Sequence, residues 1–218
     1  MSTEVQSTEV GKKTQQLLQG SLKHVKAAAL AALLVPLAAV AIRPAVASLK
    51  ASGGVGGTGP TVPTPCDFIT SGGFVNTDSG RDANFGVHGG CKHDGFWGHV
   101  NYVDHATGLH LDSVEITGYL TDDPTSTVRD ICGIAKVNQG PSPQVRFRVR
   151  LMDNGEPGNG DMFGIRLEND YYHVPTRLLN SGLSGGGNIQ LHEANPSTTG
   201  PASSPNEATM CGGVEAPN

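Results

Sequence analysis

Hydrophobic and polar residues alternate with a period of two along most of residues 66–193, the pattern of strands that bury one face. Val145, Phe147, Val149 and Leu151 alternate with Arg146, Arg148 and Arg150. Phe163, Ile165 and Leu167 alternate with Gly164, Arg166 and Glu168, which predicts a hairpin partner across the loop 153–161. Further strands are predicted over 67–75, 83–91, 96–103, 109–119, 129–137 and 188–192. Leu109 and Leu111 fall out of phase with Val114 and Ile116, so a bulge is expected near Asp112 and Ser113. No amphipathic helical period appears after residue 47. About eight short strands separated by Gly, Pro, Asn and Asp clusters predict an all-β domain, a two-sheet antiparallel β-sandwich of jelly-roll type.

The first 47 residues follow another pattern. A polar stretch ending in Lys23, His24 and Lys26 precedes 27–42, which carries no charge, and then Ala45-Val46-Ala47. These are the three parts of a secretory signal, with cleavage expected after Ala47. The apolar run is short for a bilayer span, which takes about 20 residues, and Pro36 interrupts it. No Arg-Arg pair precedes it, which favours the general secretory route. Residues 48–65 are rich in Gly, Pro and Thr and read as a linker without a fold. Residues 194–218, rich in Pro, Ser, Thr and Gly, read as a loose tail that Cys211 ties back. The expected product is a secreted domain, free of permanent membrane insertion once the signal is removed.

Composition narrows the function classes. The chain has 218 residues and a net charge of −5, without the basic excess of a nucleic-acid binder. Its 30 glycines and 14 prolines match a turn-rich β-domain. All four cysteines (Cys66, Cys91, Cys132, Cys211) follow the signal and none forms a CxxC pair, so disulfides are expected rather than a zinc or redox site. Three pairings are open.

Five motifs, in order, carry a family resemblance: CDFITSGGF (66–74), ANFGVHGG (83–90), FWGHVNYVDHATGLHL (96–111), DNGEPGNGDMFGIRL (153–167) and GGGNIQLH (185–192). Together they resemble the bacterial post-choice-of-anchor domain of secreted and surface proteins, over essentially all of 66–193. The resemblance implies an exported β-rich domain and assigns no catalytic activity. The anchor-type region that precedes such domains has no counterpart before residue 66 here.

Two polar clusters are the candidate sites. Asp104, His105 and His110, with His99 and Asp112 near them, offer imidazole and carboxylate, the ligands of a transition metal. If 104–108 turns a hairpin, His99 or Asn101 should approach His110. Without a metal, Asp104 and His105 build that turn. Asp153, Asn154, Glu156 and Asp161 offer oxygen ligands on a Gly-containing loop that could wrap calcium, although the spacing is not that of an EF-hand. Without calcium the loop is a paired turn closing the hairpin. The Arg146, Arg148, Arg150 row is expected to face solvent, and Glu168 to offset Arg166 and Arg150. GxSxG, SxxK and HExxH are absent, and GGGNIQLH reads as a turn entering the last strand. The favoured function is a non-catalytic binding or structural role outside the cell, with a glycan or cell-surface component as partner and calcium as the candidate metal. A carbohydrate-binding module and a metal-dependent hydrolase or oxidase are the alternatives.

Overall fold

The computed structural model describes residues 59–78, 80, 82–93, 95–140, 142–181, 185–194 and 205–218. The signal segment and most of the linker expected from the sequence lie outside them. Nine strands follow one another: β1 (Phe68–Asn76), β2 (Asp82–Lys92), β3 (Gly95–Asp104), β4 (His110–Leu120), β5 (Val128–Val137), β6 (Gln144–Met152), β7 (Met162–Leu167), β8 (His173–Leu178) and β9 (Gly185–His192). A single turn of helix, α1 (Glu207–Cys211), lies near the C-terminus.

Every pairing is antiparallel, and the order β8-β7-β6-β5-β4-β3-β2-β1-β9 makes one continuous sheet. The all-β class therefore holds, but the strands form one nearly closed sheet where two facing sheets were expected. The reason is local: each strand pairs with its sequence neighbour through a short turn, and only β9 returns to pair with β1. Curling the meander lets one face bury itself, which a flat sheet of this width cannot do. The enclosed side chains include Ile69, Phe85, Val87, Tyr102, Leu111, Tyr119, Phe147, Phe163 and Ile165, all at most 5% exposed.

Strand alternation explains most of the boundaries. In β2, Ala83, Phe85 and Val87 are buried and their neighbours Asn84, Gly86 and His88 exposed. The expected bulge is present: the β4–β5 register shifts between Ser113 and Glu115 and again between Ile116 and Gly118. β8 has no counterpart in the sequence reading. It buries only Val174, so it shows no alternation, and it contains Pro175. It lies at an end of the sheet order, where a proline is tolerated because it has no ladder N–H to supply. β9 starts three residues before its expected first residue, because Gly185, Gly186 and Gly187 belong to the strand rather than to a turn. A Cβ on Gly187 would lie 2.3 Å from the Gly72 carbonyl oxygen, so these glycines permit a crossing that side chains would block.

Two disulfides, Cys66–Cys91 and Cys132–Cys211, select one of the three open pairings. The first ties the start of β1 to the end of β2, and the second ties α1 to β5. The C-terminal segment is accordingly not loose over residues 205–218. Met210, Cys211 and Val214 are buried, the Thr117 hydroxyl donates to the Met210 carbonyl, and Asn206 caps α1 by accepting from Thr209 N–H at 2.8 Å. The linker likewise joins the fold from Thr61, which exchanges main-chain hydrogen bonds with Thr121, while Val62 is 6% exposed.

The arginine row also differs from expectation. Arg148 is 2% exposed rather than solvated, bonded to Asp130 and Glu207, and Arg150 pairs with Asp130 and Asp122. Arg166 pairs with Asp170 and Glu215, so the carboxylates that offset these arginines are not that of Glu168. The C-terminal segment covers this face of β6 and turns a solvated charge row into a buried network, which a single strand's alternation cannot foretell. A second buried cluster joins Arg129, Asp67 and Tyr119: the Tyr119 hydroxyl donates to Asp67 at 2.7 Å and the Arg129 guanidinium to both carboxylate oxygens. Burial, with the adjacent Asp67 charge, pushes the Tyr119 hydroxyl well above its ordinary pKa, so it stays a donor.

Candidate functional site

The first cluster expected from the sequence is a turn and a network rather than one ligand set. Asp104 ends β3 and is 1% exposed. Its Oδ1 accepts from Ala106 N–H at 2.7 Å and its Oδ2 from the Thr107 hydroxyl at 3.0 Å and the Tyr172 hydroxyl at 2.7 Å. Burial by itself raises the Asp104 pKa, but these donors outweigh it and hold the carboxyl below its ordinary value. The Tyr102 and Tyr172 hydroxyls are 2.7 Å apart, and burial pushes both to high pKa. His105 Nε2 lies 2.5 Å from Asn84 Oδ1, and His110 Nε2 lies 3.1 Å from Asn101 Nδ2. The expected approach of Asn101 to His110 is therefore present, while Asp104, His105 and His110 are bound to separate partners. Among the described residues no three His, Cys, Asp or Glu side chains gather as metal ligands.

The second cluster closes the sheet. β9 has β1 on one edge; on the other, side chains accept from the main-chain N–H groups that a tenth strand would have bonded. Asn180 Oδ1 accepts from Gly187 N–H at 3.2 Å, Asp161 Oδ2 from Ile189 N–H at 2.7 Å and Asp153 Oδ2 from Leu191 N–H at 2.8 Å. The remaining oxygens organise the loop: Asp161 Oδ1 accepts from Asn154 N–H at 2.9 Å and Asp153 Oδ1 from Gly155 N–H at 2.8 Å. Glu156 accepts from the Asn188 amide through both carboxylate oxygens, at 3.1 and 3.2 Å. The loop read as a possible calcium wrap thus fastens the edge of β9, with Asp161 fully buried. Asn180 and Asn188 are members of this seam that the sequence did not reveal, because nothing local marks an asparagine that will meet a strand edge.

A third site is visible only in the folded chain. β3 and β4 pair over just Asn101–Asp112, Tyr102–Leu111 and Val103–His110, and then part where β4 bulges. Between them opens a groove of about 860 Å³ lined by Phe96, Trp97, His99, Ser113, Glu115 and Ile116, among others. At its head the Ser113 hydroxyl takes the place of a ladder carbonyl, accepting from Val100 N–H at 2.8 Å. His99 bridges Ser113 and Asp112, with Nδ1 3.2 Å from Ser113 Oγ and Nε2 3.1 Å from Asp112 Oδ1. His88 stands across β3 from this pair, its pKa lowered by partial desolvation of the ring and by the His99 charge. Trp97 forms one wall. Its indole N–H is buried without a hydrogen-bond partner, and the Lys92 ammonium lies 5.4 Å from the ring centroid. Beside it Phe68 and His192 stack on one another at 4.3 Å. The sequence had signalled this groove through the bulge at Asp112 and Ser113 and through His99 and Asp112 as polar candidates, but not through their meeting with Ser113.

These features define a class of protein: a disulfide-tied, nearly closed antiparallel β-meander with a polar, side-chain-fastened seam and a surface groove between β3 and β4. Compared with known protein families, with curated proteins and with solved structures, the chain matches none.

Proposed function

We propose that this chain is an exported, non-catalytic β-domain that binds a glycan or another cell-surface component in the groove between β3 and β4. The observation that carries the reading is the groove itself. At about 860 Å³ it falls in the size range of ligand sites, and it sets apolar Trp97, Phe96 and Ile116 beside polar His99, Ser113 and Glu115. Its polar side chains are held by neighbours: Ser113 by Val100 N–H and His99 by Asp112, a preorganised arrangement suited to recognition. Two disulfides are in keeping with a life outside the cytoplasm. The secretory pattern of residues 1–47 and the resemblance to the post-choice-of-anchor domain support the same reading.

The carbohydrate-binding alternative is favoured by one feature, Trp97 in the groove wall, and is the first form of the proposal to test. The metal-dependent hydrolase or oxidase has no comparable support, since Asp104, His105 and His110 each serve a separate neighbour. A glycan array and a pull-down of cell-envelope fractions, run with the native chain and with Trp97→Ala and Glu115→Gln, test the proposal. Binding that both variants weaken is the expected result. No retained ligand in either assay, or binding indifferent to both substitutions, overturns it.

A further inference from the structure

We propose that Ser113 is an acylation site: its hydroxyl, with His99 as base, takes an acyl group from an activated ester that enters the groove and holds it as an acyl-serine. The inference rests on the groove as a ligand site and gives that site a covalent chemistry.

Asp112 and Ser113 are neighbours in β4, and on a regular strand neighbouring side chains point to opposite faces. Here both reach the same ring of β3. His99 Nε2 lies 3.1 Å from Asp112 Oδ1, and His99 Nδ1 lies 3.2 Å from Ser113 Oγ. The bulge that follows Ser113 allows this, because it turns the hydroxyl toward the edge of β3, where it meets Val100 N–H.

The partners assign the protons. Ser113 Oγ accepts from Val100 N–H at 2.8 Å, which leaves its own hydrogen to donate to His99 Nδ1. The Asp112 carboxylate only accepts, so in the neutral ring Nε2 carries the hydrogen and the Nδ1 lone pair faces the hydroxyl. Asn101 Nδ2 lies 3.5 Å from the same Asp112 oxygen and steadies it. A hydroxyl bonded to a base that a third group orients is the arrangement that activates a nucleophile. Ser113 also lines the groove, so the carbonyl carbon of a ligand has access to it.

In the reaction Ser113 Oγ forms a bond to the ester carbonyl carbon while its proton passes to His99 Nδ1. The bond from that carbon to the leaving oxygen breaks, the leaving group takes the electron pair, and the imidazolium returns its proton to the leaving group or to solvent. Val100 N–H is spent on Oγ rather than on the oxyanion, a position where one donor is worth about 10²–10³ in rate. Esters with good leaving groups are therefore the class that reacts. The acyl-serine is itself an ordinary alkyl ester with a poor leaving group, so it accumulates instead of turning over, in keeping with a non-catalytic domain.

The test incubates the purified, disulfide-bonded chain with p-nitrophenyl acetate, quenches in acid and maps acetyl groups by peptide mass spectrometry, which counts lysine and N-terminal labelling separately. The expected results are an acetyl group on Ser113 that persists after the ester is removed, and a labelling rate about a hundredfold lower in His99→Ala. The His99 side chain is 45% exposed, so this variant keeps the fold. Imidazole in the buffer should restore part of the lost rate, which a purely structural role of His99 would not allow. No acetyl group on Ser113, or labelling indifferent to His99→Ala or unrescued by imidazole, overturns the proposal. So does an adduct that vanishes as soon as the ester is withdrawn. A glycan or envelope component that binds through Trp97 and Glu115 while Ser113 stays unlabelled by the ester overturns this inference alone and leaves the binding role of the groove standing.

Discussion

Replacing Asp161 by alanine, with chelator present so that no metal contributes, should unfasten β9 from the loop that closes the sheet. Asp161 is 0% exposed, and its two oxygens accept from Ile189 N–H at 2.7 Å and Asn154 N–H at 2.9 Å. Alanine leaves both N–H groups without their acceptor. The Ile189 N–H is the costlier of the two, because it is buried and water cannot replace the carboxylate. A buried donor stripped of its partner costs about 1–3 kcal/mol, and hydrogen bonds to a charged group sit at the upper end of the scale, so the pair together should cost about 3–4 kcal/mol. Against a total stability of about 5–15 kcal/mol, that is a shift of more than a hundredfold in the folding equilibrium. Asp153→Ala is the control. It removes the same kind of bond from Leu191 N–H, but Asp153 is only half-buried and the exposed Gly155 N–H turns to water, so about 1 kcal/mol is expected. Urea unfolding followed by the fluorescence of Trp97, the single tryptophan, measures both variants. Amide hydrogen exchange at Ile189 should accelerate selectively in Asp161→Ala. Equal losses in the two variants, or an Asp161→Ala loss below about 1 kcal/mol with Ile189 still protected, would refute a seam held by side chains.

Two further outcomes probe other parts of the fold. Paired Cys132→Ser and Cys211→Ser substitutions open a loop of 79 residues and should cost about 4.5 kcal/mol, against about 3.5 for Cys66 and Cys91 with a separation of 25; urea midpoints of the two double variants give the order. Limited proteolysis should then cut near residues 205–211 in the first pair alone, because Met210 and Cys211 lose their anchor to β5. Tyr172→Phe removes a donor from Asp104. A carboxyl held below its ordinary pKa lends stability that is fully present above that ordinary value and is lost as pH falls through the lowered one, so the variant should unfold at higher pH in an acid titration followed by circular dichroism. An unchanged acid midpoint would place the stabilising donors elsewhere.

The period-two alternation of 66–193 was enough to place eight of the nine strands and the β6–β7 hairpin, because one buried face imposes its rhythm on each strand separately. It also located the β4 bulge, since a slip of one residue exchanges the two faces. Where a strand buries almost nothing the rhythm vanishes, and β8 went unseen. The candidate residues were legible in kind but not in role. Asp104 and Asp161 were identifiable as unusual, yet their partners, Tyr172 in one case and Ile189 N–H in the other, come from 68 and 28 residues away.

What the sequence determined by itself, then, is the local content of the protein: strands, turns and the expectation of disulfides. Those follow from interactions between residues a few positions apart. Only the tertiary structure decided that the strands form one curled sheet, which cysteines pair, that Arg148 is buried under the C-terminal segment, and that β3 and β4 part to leave a groove. Alternation states which face of a strand is buried and is silent on what covers the other face or the edge. In this chain the covering groups, the segment 205–218 over β6 and the 153–161 loop along β9, are distant in sequence, and they make the sites.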